Sequence, residues 1–261
     1  MGMSVTTDPR GFVRSVVIPP PPAPRGGPEA GQPPIATLMK TGKNQAAVVG
    51  SDIIAFVSGV TTERREAIIN SALLAQLVAN NEVRDRSRVY EWYDTYFKVL
   101  ANIGWAIQQV SWTEYTEKEG GFQAHEAILS VASTLFAPGT AALTLVTTTL
   151  KALKEMDKDN PWLTLFNRES QVAKTAHFQV SLAEQAPDGQ FLVSTMAFGL
   201  EAKSTITQVL FFKVKKGQAT LKHHRGQVTI NTGVLDQVKD ELQAKLTRHA
   251  ESYVKALPDF D

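Results

Sequence analysis

Cysteine is absent from this chain of 261 residues. Its absence excludes disulfide bonds, thiol nucleophiles, iron–sulfur clusters and thiolate zinc sites. Long apolar runs are also missing, because none approaches the roughly 20 residues of a membrane-spanning helix. The first apolar run, residues 16–18, is too short for the core of a secretory signal. The sequence therefore predicts a soluble protein without a signal peptide or transmembrane helix, either cytoplasmic or released without a cleavable signal.

Motifs of known chemistry are lacking too. The patterns Gly-x-Ser-x-Gly, Gly-x-Gly-x-x-Gly and His-Glu-x-x-His do not occur. His223 and His224 are neighbours on a predicted strand, so they point to opposite faces and cannot easily share a metal ion. We expect no enzymatic activity, no cofactor and no metal. A catalytic site assembled from residues distant in sequence stays open as an alternative.

Charge is balanced over the chain and unbalanced in one segment. A formal net charge of +1 provides no global field that would favour nucleic acid. Residues 202–235 contain no acidic residue, however, and their candidate anion-contact residues are Lys213, Lys215, Lys216, Lys222 and Arg225. Such lysines often deter edge-to-edge pairing of strands. The alternative is a site for an anionic surface, formed by lipid headgroups or a sulfated glycan.

Proline and glycine are concentrated near the N-terminus. Proline fixes φ and removes an amide donor, so residues 1–46 are predicted to form an extended arm in the polyproline II conformation. The arm is either a disordered tail or a segment that docks on a neighbouring subunit. Residues 47–261 are predicted to form a single domain.

The first part of that domain, about residues 51–168, has mainly helical spacing. A short helix is predicted at residues 53–57, a longer one after Thr61 or Thr62, and an aromatic-rich one at residues 87–103. The aromatic residues are interpreted as core, with a stacking platform for bases or sugars as the alternative. Residues 105–116 alternate in polarity, which predicts a strand that adds an edge to the later sheet.

Residues 127–150 carry no charge. The segment breaks at Pro138-Gly139, which predicts two helices joined at a corner. They are either buried core helices or a hairpin that can leave the core and enter a membrane. The candidate residues for either role are Leu135, Phe136, Pro138, Leu143 and Leu145.

Residues 171–230 are predicted to form the sheet. Two strands flank the turn at Pro187-Asp188-Gly189, and a third strand is predicted at residues 205–215, joined to a fourth at 218–224 by a tight turn. Gly226 is interpreted as a bulge or turn. The third strand is apolar on both faces, so both faces must be covered. Val209 and Phe211 are candidate subunit-interface residues, because their cover is either this chain or another subunit.

A final amphipathic helix is predicted at residues 233–257 and should cross the sheet. The fold class is therefore α+β, with a helical N-terminal half packed on a mostly antiparallel C-terminal sheet of about four to six strands. The leading functional hypothesis is a self-assembling structural or interaction protein, a homo-oligomer or a binder of a protein partner, which uses its arm and doubly apolar sheet. The alternative is a membrane-active, toxin-like protein with a basic hairpin for anionic lipid and an uncharged helical hairpin for insertion.

Overall fold

A computed structural model describes residues 5–21, 39–116, 121–186 and 188–257. Its helices are α1 (Pro9–Ser15), α2 (Thr62–Glu82), α3 (Val89–Asn102), α4 (Ala124–Leu135), α5 (Ala141–Glu155), α6 (Pro161–Ser170) and α7 (Thr232–Tyr253). Its strands are β1 (Gln45–Val49), β2 (Asp52–Phe56), β3 (Thr113–Glu114), β4 (Phe122–Gln123), β5 (Gln171–Val172), β6 (Thr175–Gln185), β7 (Phe191–Ala202), β8 (Lys213–Val214), β9 (Ala219–Thr229) and β10 (Val254–Ala256).

The main sheet has eight strands. Seven follow the order β10-β1-β2-β6-β7-β9-β3, and β5 adds to β6. All neighbours are antiparallel except β2 and β6, which run parallel. The α+β class is confirmed. The sheet is larger than predicted because β1, β2 and β10 join it from outside residues 171–230.

Helices cover both faces of this sheet. Side chains alternate along each strand, so Ile54 and Val193 face a first core while Ile53 and Met196 face a second. Residues of α1, α2, α3 and α7 complete the first core, and residues of α4, α5 and α6 complete the second. The strands are apolar on both faces because the chain itself supplies both covers.

The N-terminal part of the domain differs from prediction at residues 45–56. A helix was predicted there from Ser51, and the structure has the hairpin β1–β2 instead, with Gly50 in the turn at a φ of +56°. A short apolar run fits a buried strand as well as a helix. Pairing with β6 and β10, which are far away in sequence, stabilises the strand conformation of this hairpin. The hairpin also begins at Gln45, inside the predicted arm.

The predicted strand at residues 205–215 is wrong. Residues 205–212 form a loop, and only Lys213–Val214 are in β conformation, paired with β4 rather than with β9. The loop is apolar because it inserts Val209 and Leu210 into the second core. Side chains of other segments provide hydrogen-bond partners for the loop backbone. For example, the Val209 amide donates to Asn167 Oδ1 at 2.9 Å.

The strongly periodic elements agree with prediction. β6 and β7 pair without a break from Thr175↔Glu201 to Gln185↔Phe191. The aromatic helix α3 and the two helices around Gly139 are present, and Gly139 has a φ of +79°. In residues 105–116 the strand is confined to β3, which pairs with β9, and Trp105 forms an isolated bridge with Ile230. β9 itself continues through Gly226 with no bulge.

The two ends of the chain meet on α7. The final helix stops at Tyr253, earlier than predicted, and the chain continues as β10 beside β1. The helix α1 packs along α7, with Arg14 Nη2 2.7 Å from Glu241 Oε1. His249 Nε2 lies 2.8 Å from the Pro19 carbonyl. This part of the arm is thus partly helical and docks on its own chain. Residues 22–38, the most proline-rich part, lie outside the described residues.

Candidate functional site

The hairpin of α4 and α5 covers the second face of the sheet. Its inner side chains are buried against the long strands and include Ile128, Val131, Leu145, Val146 and Leu150. Of the candidate residues, Leu145 and Phe136 are buried, Leu135 and Leu143 are half-buried, and Pro138 is exposed at the corner. The apolar stripe therefore holds the hairpin to the sheet.

Between residues 127 and 150, the polar side chains on the outer surface of the hairpin are hydroxyls rather than charges. The exposed residues there are Ser130, Ser133, Thr134, Thr144, Thr147 and Thr148, and Thr140 is half-buried. Several donate to a carbonyl of their own helix: Thr144 Oγ1 to Thr140 O at 3.0 Å, Thr147 Oγ1 to Leu143 O at 2.8 Å and Ser133 Oγ to Ser130 O at 2.8 Å. Hydroxyls bonded in this way do not need water as an acceptor. The charged residues of the hairpin, Glu126, Lys151, Lys154 and Glu155, all lie at its base, so residues 127–150 lack the charged surface that keeps most amphipathic helices in water.

Length limits what the hairpin can do. Helices of 12 and 15 residues, α4 and α5, extend about 18 and 22 Å at 1.5 Å per residue. The hydrocarbon core of a bilayer is about 30 Å thick. In the described part of the chain, no helix combines the length and the apolar character that crossing a membrane requires. Neither helix by itself is therefore long enough to reach across that core.

A cluster of basic groups lies at the base of the hairpin. His125, in the first turn of α4, has its Nε2 3.4 Å from Lys154 Nζ on α5. Burial lowers the pKa of His125, and the charges of Lys154 and Lys213 lower it further, while Glu126 opposes them. Protonation of His125 therefore places a third cation between α4, α5 and β8. Acid should weaken the contact that holds these elements together.

The predicted basic residues do not form one patch. Lys222 faces the first core, where its Nζ lies 5.4 Å from the centre of the Tyr90 ring. Arg225 points to the opposite face and donates to Thr134 on α4. Lys213, Lys215 and Lys216 precede β9 and are exposed, but β8 does not pair with β9.

Acidic residues from other segments also lie beside these cations. Glu114 and Glu201 share an open groove with Lys216, and Glu114 is the strand partner of Lys222. The absence of acidic residues along residues 202–235 is therefore compensated in three dimensions. The sequence could not show this, because both glutamates come from outside that segment.

The candidate interface residues lie within the chain. Val209 is fully buried. Phe211 is half-buried, with its ring 6.1 Å from that of His125. Both side chains belong to the packing beneath the base of the hairpin, so this chain covers Val209 completely and Phe211 in part, and an interface role for them stays a prediction.

A buried polar row on the first face of the sheet was not predicted. His177, Gln179 and Ser181 alternate on β6 beneath α3, with Asp52 on β2 and Thr195 on β7. Both carboxylate oxygens of Asp52 lie 3.1 Å from Ser181 Oγ, and burial raises the pKa of Asp52 to about 7. The alternation of polar residues on β6 was the available signal.

The aromatic side chains of α3 close this row. The ring centres of Trp92 and His177 lie 4.1 Å apart. The Tyr93 hydroxyl donates to the carbonyls of Phe178 at 2.8 Å and Phe198 at 3.0 Å. Trp92, Tyr93 and Tyr96 are fully buried, so they are core residues and offer no stacking platform.

Comparison with known proteins finds little similarity. No protein-family model and no curated protein sequence matches the chain. Among solved structures, a delta-endotoxin is similar with a TM-score of 0.41 and 16% identity, over 70% of this chain and 84% of that one. The structure of the Evf virulence factor is similar with a TM-score of 0.33 and 11% identity, over 82% of this chain and 84% of that one.

Proposed function

We propose that the protein acts on lipid membranes, and that the hairpin of α4 and α5 is the segment that leaves the sheet to enter the bilayer interface. One observation carries this proposal: residues 127–150 have no charge, and the outer hydroxyls of Ser133, Thr134, Thr144 and Thr147 donate to carbonyls of their own helix. Moving this segment into a lipid surface therefore removes no charge from water and leaves few unbonded hydroxyls.

Energetics favour this movement only where lipid is present. In water, uncovering the inner side of the hairpin costs about 25 cal/mol for each Å² of apolar surface exposed. Acyl chains are as apolar as the sheet face, so they replace the lost contacts. The face left behind, with Phe178, Phe198 and Leu200, is equally apolar and can meet lipid as well.

The basic cluster at the base of the hairpin supports release by acid. The pKa of His125 is lowered in the folded state, so the stability that its neutral form contributes is complete above about pH 6.5. That contribution is lost as the pH falls through the folded pKa. Membrane action is therefore expected to increase as the pH falls below about 6.5.

Two measurements test the proposal. Dye release from vesicles of phosphatidylcholine, with and without phosphatidylglycerol, should occur and should be faster at pH 5 than at pH 7.5. Because the chain has no cysteine, Thr144→Cys provides a single attachment site for an environment-sensitive NBD label. The label should shift to the blue on vesicles.

Thr247→Cys is the matched control, because Thr247 is an exposed helical threonine that also bonds to its own helix, at 2.7 Å. A label there should not shift. The absence of leakage from both vesicle types at both pH values would exclude the proposal, and so would equal shifts at the two sites.

A further inference from the structure

The strand β9 pairs with β3 over only a short part of its length, which leaves a gap along its outer side. At one end of the gap the Ala106 amide donates to Thr229 O at 3.0 Å, and at the other the Tyr115 amide donates to Leu221 O at 2.8 Å. Both acceptors have odd numbers, and in an antiparallel strand every second residue presents its amide and carbonyl to the same edge. Arg225 and Gln227 therefore present theirs to that edge. Within the described ranges, no backbone group of the loop bonds to them.

A cleft occupies this gap. It has a volume of about 220 Å³ and lies between β9 and the loop of residues 105–111. Its back wall is apolar and almost fully buried, formed by Phe97, Leu100, Trp105 and Val228. Pockets for drug-sized ligands begin at roughly 300 Å³, so this cleft suits one ring-sized group.

Gly226 keeps the cleft open. A Cβ atom placed on Gly226 would meet only His224, with its Nε2 at 3.6 Å, which is an ordinary contact. Its φ is not in the left-handed region, so a larger side chain is allowed there and would fill the cleft. The glycine is therefore required for the space and not for the backbone conformation.

His224 borders the cleft as a neutral hydrogen-bonding group. Its Nδ1 lies 3.0 Å from the Ser111 carbonyl and 3.4 Å from the Ser111 amide, and the shorter contact favours a proton on Nδ1 with Nε2 as an acceptor. Burial lowers the pKa of His224, which keeps the ring neutral near pH 7. Ser111 also holds the loop against the strand at this point.

The remaining polar groups of the cleft are uncharged as well. They are the backbone edges of Arg225 and Gln227, the Ser111 hydroxyl and the exposed carboxamides of Gln108 and Gln109. The Arg225 guanidinium is turned to the other face of the sheet, where it bonds to Thr134. An anionic ligand would find no cation in the cleft to compensate its desolvation.

We infer that this cleft binds one ring of a neutral sugar. Sugar hydroxyls both donate and accept, which matches the mixed donors and acceptors along the open edge of β9. The C–H face of a pyranose ring is apolar and matches the back wall. The ring can belong to a glycolipid or to a glycan on a protein, since both present the same chemistry. The inference does not depend on movement of the hairpin, which lies on the other face of the sheet.

Saturation-transfer NMR with methyl glycosides of glucose, galactose, mannose and N-acetylglucosamine tests this inference. At least one should bind saturably in the millimolar range, and inorganic phosphate should not compete. Gly226→Val, which fills the cleft and suits a strand, should weaken binding at least tenfold. Gly59→Ala is the matched control, because a Cβ there meets nothing within 4 Å, and it should bind as the parent does.

A second variant keeps the test decisive if Gly226→Val does not fold. Gln109→Ala changes only an exposed side chain at the mouth of the cleft and should weaken binding several-fold. Vesicles that carry the bound sugar on a glycolipid, compared with albumin that carries it covalently, distinguish the two sources. Binding by none of the four sugars, equal binding by Gly226→Val, or binding of phosphate alone would overturn the inference.

Discussion

Asp52 and His177 lie beneath the same helix and respond to pH in opposite directions. Burial raises the pKa of Asp52 to about 7 and lowers that of His177 to about 3. Each group is therefore most favourable when neutral, and each loses stability on the side of its range where it becomes charged. Between about pH 3.8 and 6.5 the two contributions change in opposite directions and largely cancel, so single replacements are needed to reveal them.

Replacement of Asp52 by asparagine should stabilise the protein in mild alkali. The pKa of Asp52 is raised in the folded state, so its contribution is complete below about pH 3.8 and is lost as the pH rises to about 7. At pH 8, Asp52→Asn should gain up to about 4 kcal/mol in the free energy of unfolding, since each pKa unit corresponds to about 1.4 kcal/mol. At pH 4 the gain should vanish.

Urea unfolding at the two pH values measures this difference. Asp240→Asn, on the exposed side of α7, is the control and should change stability little at either pH. An equal effect of Asp52→Asn at pH 4 and pH 8 would show that Asp52 does not titrate in this range.

Replacement of His177 by phenylalanine should relieve acid sensitivity. The folded pKa of His177 is below its ordinary value, so its contribution is complete above about pH 6.5 and decreases as the pH falls towards 3. The quantity to compare is the free energy of unfolding of His177→Phe minus that of the parent. This difference should be about 3 kcal/mol larger at pH 4.5 than at pH 7.5. The added ring volume contributes equally at both values and cancels in this comparison.

Guanidinium unfolding followed by tryptophan fluorescence is a suitable measurement, because Trp92 contacts His177. A difference between parent and variant that stays constant with pH would contradict this expectation.

At the scale of elements, the hairpin of α4 and α5 has an outer surface that can be altered without disturbing the fold. Thr144→Lys places a charge on an exposed position, so the melting temperature should stay within a few degrees of the parent. Lysine costs roughly 2.5–3.5 kcal/mol at the centre of an inserted helix and less at shallow depth. We therefore expect dye release to slow by roughly tenfold.

Thr247→Lys makes the same change on α7 and should release dye as the parent does. If the two variants behave alike, the effect comes from added charge in general and the hairpin is not the inserting segment.

Elements were predictable where periodicity was long. β6, β7, α3 and α7 each repeat their pattern over ten residues or more, and all four were expected at nearly their observed positions. The hairpin at residues 45–56 and the loop at residues 205–212 are short apolar runs. Their conformation depends on partners such as β10 and Asn167, which only folding brings near.

At the scale of the whole molecule, self-assembly was predicted from the arm and the doubly apolar sheet. In the structure, helices of the same chain cover both faces, and α1 docks on α7. We therefore expect light scattering at micromolar concentration to give the molar mass of a monomer. Deletion of residues 1–19 should lower the melting temperature, because it uncovers part of α7.

Light scattering of the intact chain and of that deletion checks this expectation. A larger assembly that dissociates on deletion would instead support an arm exchanged between subunits, as the sequence suggested.

The sequence by itself determined the α+β class, the two helices around Gly139, the amphipathic final helix and the uncharged character of residues 127–150. These follow from composition and local periodicity, which depend on neighbours along the chain. Only the tertiary structure decided that both faces of the sheet are covered from within. It also separated Lys222 from Arg225, buried Asp52 beneath α3, and left the gap beside β9 over Gly226. Each of these depends on contacts between residues far apart in sequence, so no local pattern encodes them.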